Sequence, residues 1–530
     1  MERGKRMHEQ QDGPNLSQMA DQLEQQKTDI RQHMGGWEQV ERQHQLGKLT
    51  ARERIHHLFD PGTFEEMGIF AHHQDNAPEM RGRQTPADGV ITGCGKIRGR
   101  SVALAAYDFT VLAGSMGIVG ERKVARVRQW ALRHRIPMIW LIDSAGARIQ
   151  ELAGSWFAGT GDIFFEEVKM SGVVPQVCAV MGPGAAGTAY VPALADFVPM
   201  VKGTSFMALG GPPLVKAAIG EDINEQDLGG SKVHTELSGV ADLEVANDEE
   251  CLAAIRDYLS YFPSHSQEMP PESPSSDPPE REVRTVEDMV PVALNQGYDM
   301  HKVIREIVDD RTIFEMKPRW ARNLITAFAH IGGYSVGIIA NQPMVLGGAI
   351  DVNASDKAAR FIMLCDAFNI PLVYLADTPA FMIGSSVEKQ GIIRHGAKFL
   401  YATSVATVPK FTVIVRKAFG AGYYVMNGRA YEPDLIVAWP HAQISLMGAE
   451  GAVNILYGKM ISKSDDPTAT REELLVRYRE RIGPDIAAGS ALIDDIIRPR
   501  DTRRVLYAAL ERTQNKVVER PTRKHGIMPV

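Results

Sequence analysis

The chain has 530 residues, a formal net charge of −7, 44% hydrophobic residues and 23% charged residues. This is globular composition with material for more than one domain, and the acidic balance argues against a general nucleic-acid or anionic-membrane binder. No run of about 18 apolar residues occurs, so no membrane span is expected. Cys94, Cys178, Cys251 and Cys365 lie far apart without a CxxC pair, which indicates neither a disulfide framework nor a metal site.

Residues 1–45 are Gln-rich and carry both charge signs. They read as a polar, partly helical lead-in. They lack the apolar core of a secretion signal and carry too much acid for a transit peptide, so a cytoplasmic location is expected, or the mitochondrial matrix if the source is eukaryotic. A first domain then runs over 46–260. Residues 261–282, YFPSHSQEMPPESPSSDPPERE, are rich in proline, serine and acids and read as an extended linker. A second domain fills 283–530.

The two domains repeat one another. In chain order, LFDPGTFEEM (58–67) echoes IVDDRTIFEM (307–316), and IRGRSVALAAYDFTVLAGSMG (97–117) lines up with IGGYSVGIIANQPMVLGGAID (331–351). KVARVRQWALRHRIPMIWLIDSAGARI (123–149) lines up with KAARFIMLCDAFNIPLVYLADTPAFMI (357–383), placing Lys123 on Lys357 and Asp143 on Asp377. GPGAAGTAYV (182–191) matches KAFGAGYYVM (417–426) one residue out of that register. SVALAAYDF and SVGIIANQP predict strands. KVARVRQWALRH and KAARFIMLCDAF have helical spacing and end at an Ile-Pro break. PMIWLID, PLVYLAD, PQVCAVM and KFTVIVR predict buried strands, so each domain is α/β with chemistry expected at the strand C-terminal ends.

Gly182-Pro183-Gly184-Ala185-Ala186-Gly187 satisfies GxGxxG after a strand, but no acid follows some 20 residues on to hold a ribose. The feature shared by both halves is Ala-Gly at a strand-to-helix turn, Ala186-Gly187 and Ala421-Gly422. Small residues there either permit tight packing or let backbone N–H groups face a ligand as an oxyanion hole. Asp143-Ser144 and Asp377-Thr378 close their strands and fit either a catalytic role or, in preference, turn and N-cap chemistry. Arg394 and His395 fit either an anion contact or a solvated helix face. There is no GxSxG elbow, HExxH or P-loop.

From Gly47 to Leu506 the chain resembles the carboxyltransferase (β) subunit of biotin-dependent acyl-CoA carboxylases of the propionyl-, methylcrotonyl- and geranyl-CoA type. The resemblance rests on GKLTARERI (47–55), DSAGARIQE (143–151), MGPGAAGTAYVPALADF (181–197), NASDKAARF (353–361), GIIRHGAK (391–398) and FGAGYYVMNGRAYEPD (419–434), among other segments. It implies two tandem ClpP/crotonase-like domains related by duplication. It also implies CO2 transfer from carboxybiotin to the α (or vinylogous γ) carbon of an acyl-CoA through an enolate.

By the same resemblance, the N–H groups of Ala186 and Gly187 would hold the thioester oxygen and those of Ala421 and Gly422 the biotin ureido oxygen. Gly420 would join the latter two at the biotin site. Tyr424, Phe381, Met382 and Arg148 would line the substrate pocket. Many members have Gly-Gly at the first hole, and Ala186 is compatible with it at negative φ. Tyr424 stands where short-chain members often carry Asp. Biotin would arrive on a partner biotin carboxylase/carrier subunit, with no metal in this one. The chain would form a hexamer, a trimer of dimers, with each cleft shared between the first domain of one subunit and the second of another. Two alternatives are the subunit of a biotin-dependent decarboxylase coupled to a sodium pump and a non-catalytic scaffold.

Overall fold

The computed structural model describes residues 15–74 and 78–529. The β-branched runs of each half become an eight-stranded sheet. The first comprises β1 (Glu65–Met67), β2 (Val90–Ile97), β3 (Arg100–Tyr107), β4 (Met138–Ser144), β5 (Gln176–Ala185), β6 (Pro199–Val201), β7 (Phe206–Ala208) and β8 (Leu243–Val245). Its order is β1-β2-β3-β4-β5-β6-β8, with β7 continuing the pairing along β5. The second comprises β9 (Phe314–Met316), β10 (Leu324–Ile331), β11 (Tyr334–Asn341), β12 (Leu372–Thr378), β13 (Lys410–Phe419), β14 (Leu435–Ala438), β15 (Gln443–Ser445) and β16 (Asp495–Ile496). Its order is β9-β10-β11-β12-β13-β14-β16, with β15 along β13. Both sheets begin antiparallel and turn parallel at their third strand.

The central strands of the second sheet follow those of the first in a fixed register: Val90 and Leu324 open β2 and β10, Gln176 and Lys410 open β5 and β13. The helices after β3 and β11, Ile118–His134 and Val352–Ala367, bury apolar positions at helical spacing (Val124, Val127 and Ala131; Ala354, Ala358, Phe361 and Cys365). They stop at the expected breaks, where Arg135 and Asn369 take left-handed conformations ahead of Pro137 and Pro371.

Smaller details also repeat. Lys123 Nζ donates to the Ala87 and Val90 carbonyls at 2.7 and 2.6 Å, and Lys357 Nζ to those of Trp320 and Leu324 at 3.0 and 2.7 Å. Burial lowers both ammonium pKa values, to about 8 and about 7. Each cation gathers a carbonyl of the turn before the strand and the carbonyl of the strand's first residue.

The lead-in is helical over Leu16–His33 and Trp37–Gln45, the first helix opened by an Asn15/Gln18 capping box. Residues 1–14 lie outside the described part. The stretch expected to be a linker begins inside the core. Tyr261 and Phe262 are buried in an aromatic cluster drawn from both halves, with Phe262 between Tyr258 (centroids 4.4 Å) and Phe328 (5.1 Å). Proline-rich composition therefore marks only the residues beyond Phe262. There the chain lies against the second half, with Ser273 donating to the Gly333 carbonyl and Arg503 holding the Asp277 and Pro278 carbonyls.

Gly348 (φ +80°) packs on the Asp377 carbonyl with no room for a methyl group, whereas Gly347 (φ +62°) faces open space. Its counterpart in the first half, Ala113, already carries a side chain at φ +54°. Gly348→Ala is expected to cost about 2 kcal/mol or more and Gly347→Ala about 1 kcal/mol; denaturant midpoints of the two variants check the order. Glu167 is fully buried with neither carboxylate oxygen hydrogen-bonded, and burial pushes its pKa up to about 9. The folded chain thus keeps a proton that the unfolded chain loses near pH 4.5, so this group's stabilisation fades as pH rises from there to about 9. Glu167→Gln should flatten that fall, seen as a smaller drop in thermal midpoint between pH 6 and pH 9 than in the parent.

Candidate functional site

Each sheet delivers a buried aspartate at the end of its fourth strand. Asp143 on β4 meets Lys48 Nζ at 2.7 Å and Arg54 Nη1 at 2.9 Å, and Arg54 Nε also holds Asp248 at 2.7 Å. Asp377 on β12 meets Arg416 Nε at 3.0 Å and accepts from Tyr298 OH at 2.9 Å. These aspartates are therefore ion-pair anchors rather than the turn and N-cap residues their sequence context suggested. A buried carboxylate is retained only with charged or hydrogen-bonding partners. In the second half the arginine comes from β13 itself. In the first half the equivalent position is Gly182, where any Cβ would run into the Asp143 carboxylate, and the arginine arrives from the helix Ala51–Leu58. The first glycine of the GxGxxG pattern thus makes space for a carboxylate.

Beyond the aspartates, β5 and β13 run into the turns singled out by sequence. The ladder pairs Ser144 with Gly184 and Thr378 with Ala418. The register therefore holds through the turn: Ala186 is equivalent to Gly420 and Gly187 to Ala421. The expected one-residue slip does not occur, because the ladder carries more weight than the likeness of two Ala-Gly pairs. Ala186 and Gly420 share a positive φ, +56° and +54°, which corrects the negative φ expected at Ala186. The strand must reverse here to start the helix Gly187–Leu194, and with ψ −120° Ala186 occupies a conformation suited to glycine.

The amide of Ala186 is already engaged, donating to the Ala208 carbonyl on β7 at 3.0 Å. Gly187 follows as the first residue of the helix, where a backbone N–H has no intrahelical acceptor. Across from it the loop after β4 is pinned by a bridge between Met116 and Ala147: Met116 donates to the Gly146 carbonyl and Arg148 to the Met116 carbonyl, both at 2.9 Å. Gly187 and Ala147 both line one cavity of about 560 Å³, with Met116, Glu121 and Phe164 among its other walls. That volume suits an organic ligand. Sequence reasoning missed Ala147, although it lies inside the DSAGARI segment and aligns with Phe381.

Arg148 is fully buried, 2.6 Å from Asp88 and 2.8 Å from Glu151, and braces this loop from behind. The same loop in the second half carries Phe381 and Met382, both half-buried, pinned by an Ile350–Phe381 bridge. Met382 is thus the structural counterpart of Arg148. Gly422 sits against the Thr378 side chain and Ala380. Tyr424 stands half exposed on the helix Gly420–Val425, beside Tyr423 and Tyr431. His395 binds Asp356 at 2.7 Å and Arg394 binds His395 at 3.0 Å, which ties two helices together. Among the described residues no cluster of metal-ligating side chains is present.

Residues 42–528 match the family model of the carboxyl transferase domain. The chain belongs to this family. The propionyl-CoA carboxylase carboxyltransferase subunit of Haloferax mediterranei is 45% identical over 94% of this chain and 96% of its own. The methylmalonyl-CoA decarboxylase subunit alpha of Veillonella parvula is 43% identical over 94% and 96%. A crystal structure of transcarboxylase 12S, a hexamer with methylmalonyl-coenzyme A and methylmalonic acid bound, superposes with a TM-score of 0.94 at 43% identity, over 98% of this chain and 99% of that one. The two halves therefore have the crotonase-like fold, and the chain is a carboxyltransferase subunit of the biotin-dependent acyl-CoA carboxylase type. Among the described residues no helix is long and apolar enough to cross a membrane.

Ala186→Gly is expected to raise the denaturation midpoint, by about 1 kcal/mol of stability net of the added chain entropy. A fall in equilibrium unfolding free energy would contradict the strained turn.

Proposed function

We propose that this subunit transfers CO2 from carboxybiotin, carried by a partner biotin carboxylase/carrier subunit, to the α carbon of a short-chain acyl-CoA in the cytoplasm. The observation that carries this reading is the pair of register-matched turns, one opening into an apolar cavity. Likeness to propionyl-CoA carboxylase and transcarboxylase subunits supports the substrate class. The decarboxylase direction has the Veillonella relative in its favour and would use the same turns.

The first turn receives the thioester. Gly187 and Ala147 present N–H groups from two loops to its carbonyl oxygen, and charge building there as the enolate forms meets fixed donors in a largely apolar cavity. The second turn suits a biotin ring. Ala421 and Gly422, following Gly420, present the N-terminal amides of a helix to the ureido oxygen, with Phe381, Met382 and Tyr424 as partly apolar walls. Bound carboxybiotin supplies the CO2 and the base. The chain supplies placement and charge stabilisation.

The faces around both turns leave large apolar side chains uncovered, including Phe157, Tyr190 and Leu209 at the first and Ile383, Tyr424 and Leu446 at the second. This supports a hexamer in which the first turn of one subunit faces the second turn of another.

Transfer is tested with purified subunit, a biotinylated partner and a panel of acyl-CoAs, assayed in both directions. An amide-to-ester replacement at Gly187 deletes the N–H without adding a side chain. It should lower kcat by about 100- to 1,000-fold. The same replacement at Ala186 should chiefly cost about 1 kcal/mol of stability. Equal loss of turnover at both positions would restore Ala186 as a donor to the substrate.

A further inference from the structure

Glu121 is a half-buried charged wall of the proposed acyl-CoA cavity that neither the turns nor the packing explains; Arg122 and Asp162, both exposed, are its other charged walls. It lies in the first turn of the helix Ile118–His134 and lines the same cavity as Gly187 and Ala147. One carboxylate oxygen, Oε1, accepts from Tyr107 OH at 3.1 Å, and Tyr107 is fully buried, so the carboxyl group is held in one orientation. The other oxygen, Oε2, is 3.9 Å from Arg128 Nη1, beyond hydrogen-bond reach, and no described residue donates to it. The side chain keeps 24% of its surface accessible, while Tyr107 and Arg128 behind it keep 1% each. The accessible part therefore faces the cavity.

Its surroundings make a carboxyl group costly here. The neighbouring walls Met116, Ile118, Ala125, Ile163 and Phe164 are apolar. Burial pushes the Glu121 pKa up to about 7, against the pull of Arg128 and the Tyr107 hydrogen bond; Asp162 and Asp88 push it the same way as burial. An acceptor fixed by a buried phenol and left open toward a ligand cavity is the arrangement by which a site reads one polar group on an otherwise apolar substrate.

Building on the acyl-CoA reading above, we infer that Glu121 is a specificity-determining residue whose free carboxylate oxygen accepts a hydrogen bond from an N–H or O–H group of the thioester substrate. The donor belongs either to a hydroxylated acyl chain or to the pantetheine arm, whose amides and hydroxyl have the same chemistry. A chain lacking the donor leaves a desolvated carboxyl group unpaired and is disfavoured.

The test uses the assembled holoenzyme with Glu121→Leu and Glu121→Gln, and a matched series of C3 to C6 acyl-CoAs with their ω-hydroxy counterparts. Glu121→Gln keeps the acceptor for Tyr107 but turns an amide N–H toward the cavity, so it carries the test if the leucine variant does not fold. If the acyl chain is the donor, the parent enzyme prefers one hydroxylated chain by about 10-fold or more in kcat/KM, and both variants erase the preference. If the pantetheine arm is the donor, both variants raise KM by about 10-fold or more for every member and leave kcat near that of the parent, and Glu121→Gln, which keeps the acceptor for Tyr107, also leaves the thermal midpoint near that of the parent. Variants within twofold of the parent in kcat/KM across the whole series overturn the inference. A parent holoenzyme inactive on every member overturns the short-chain acyl-CoA reading on which this inference rests, and the inference with it.

Discussion

A negative charge at the end of the fourth strand of each sheet, neutralised inside the protein, is the constraint on which both halves depend. Asp143 and Asp377 are among the most deeply buried carboxylates in the chain. Left alone in such surroundings either would be prohibitively costly. The cations that compensate them fix the local architecture. Lys48 and Arg54 bind the end of the lead-in and the helix Ala51–Leu58 to the first sheet, and Arg416 with Tyr298 does the same for the second. Gly182 and Gly348 then become obligatory, because the anchored strand ends leave no room for a side chain. The turns that succeed β5 and β13 project from this frame, so their backbone geometry is set by the fold itself. Rigid support of this kind is what electrostatic stabilisation of a developing oxyanion requires.

The repeat extends below the level of strands. The Lys123 and Lys357 cradles, the left-handed residues Arg135 and Asn369, and the Met116–Ala147 and Ile350–Phe381 bridges all recur in one register. Where the halves differ, the difference has chemical content. Gly182 faces Arg416 in the alignment because the arginine for the aspartate comes from another element. Arg148 faces Met382, so the loop backing the first cavity is braced by ions and its counterpart presents an apolar wall. One scaffold thus carries two equivalent loops of different polarity.

Much of the fold was legible in the sequence. Strand runs ending in Asp, helices ending at Ile-Pro and the internal duplication each arise from local chemistry, and the family resemblance rests on long motifs. The site was legible only in part. Both turns stand out by composition, but the likeness of their Ala-Gly pairs points to the wrong register. The hydrogen-bond ladder of β5 with β7, which engages the Ala186 amide, joins segments that sequence reading does not relate. Ala147, the donor proposed opposite Gly187, escaped because a backbone N–H leaves no mark in residue type. Arg148 looked like a ligand-binding cation, yet its partner Asp88 lies 60 residues earlier, and long-range ion pairs of this kind are invisible in one sequence. The proline-rich stretch misled in the opposite sense, since its composition concealed the aromatic pair at its start.

That aromatic pair bears on how the molecule can be divided. Phe262 is wedged between a ring from the end of the first half and rings from the second, and Phe197 of the first sheet's half stacks on Tyr258 at 4.5 Å in the same cluster. Severing the polypeptide among the prolines would strip neither fragment of its sheet, but it would leave each with a bare aromatic face. The tandem arrangement is therefore one folding unit with two lobes, and modular recombination of a lobe from another carboxyltransferase would have to bring its half of the ring stack along.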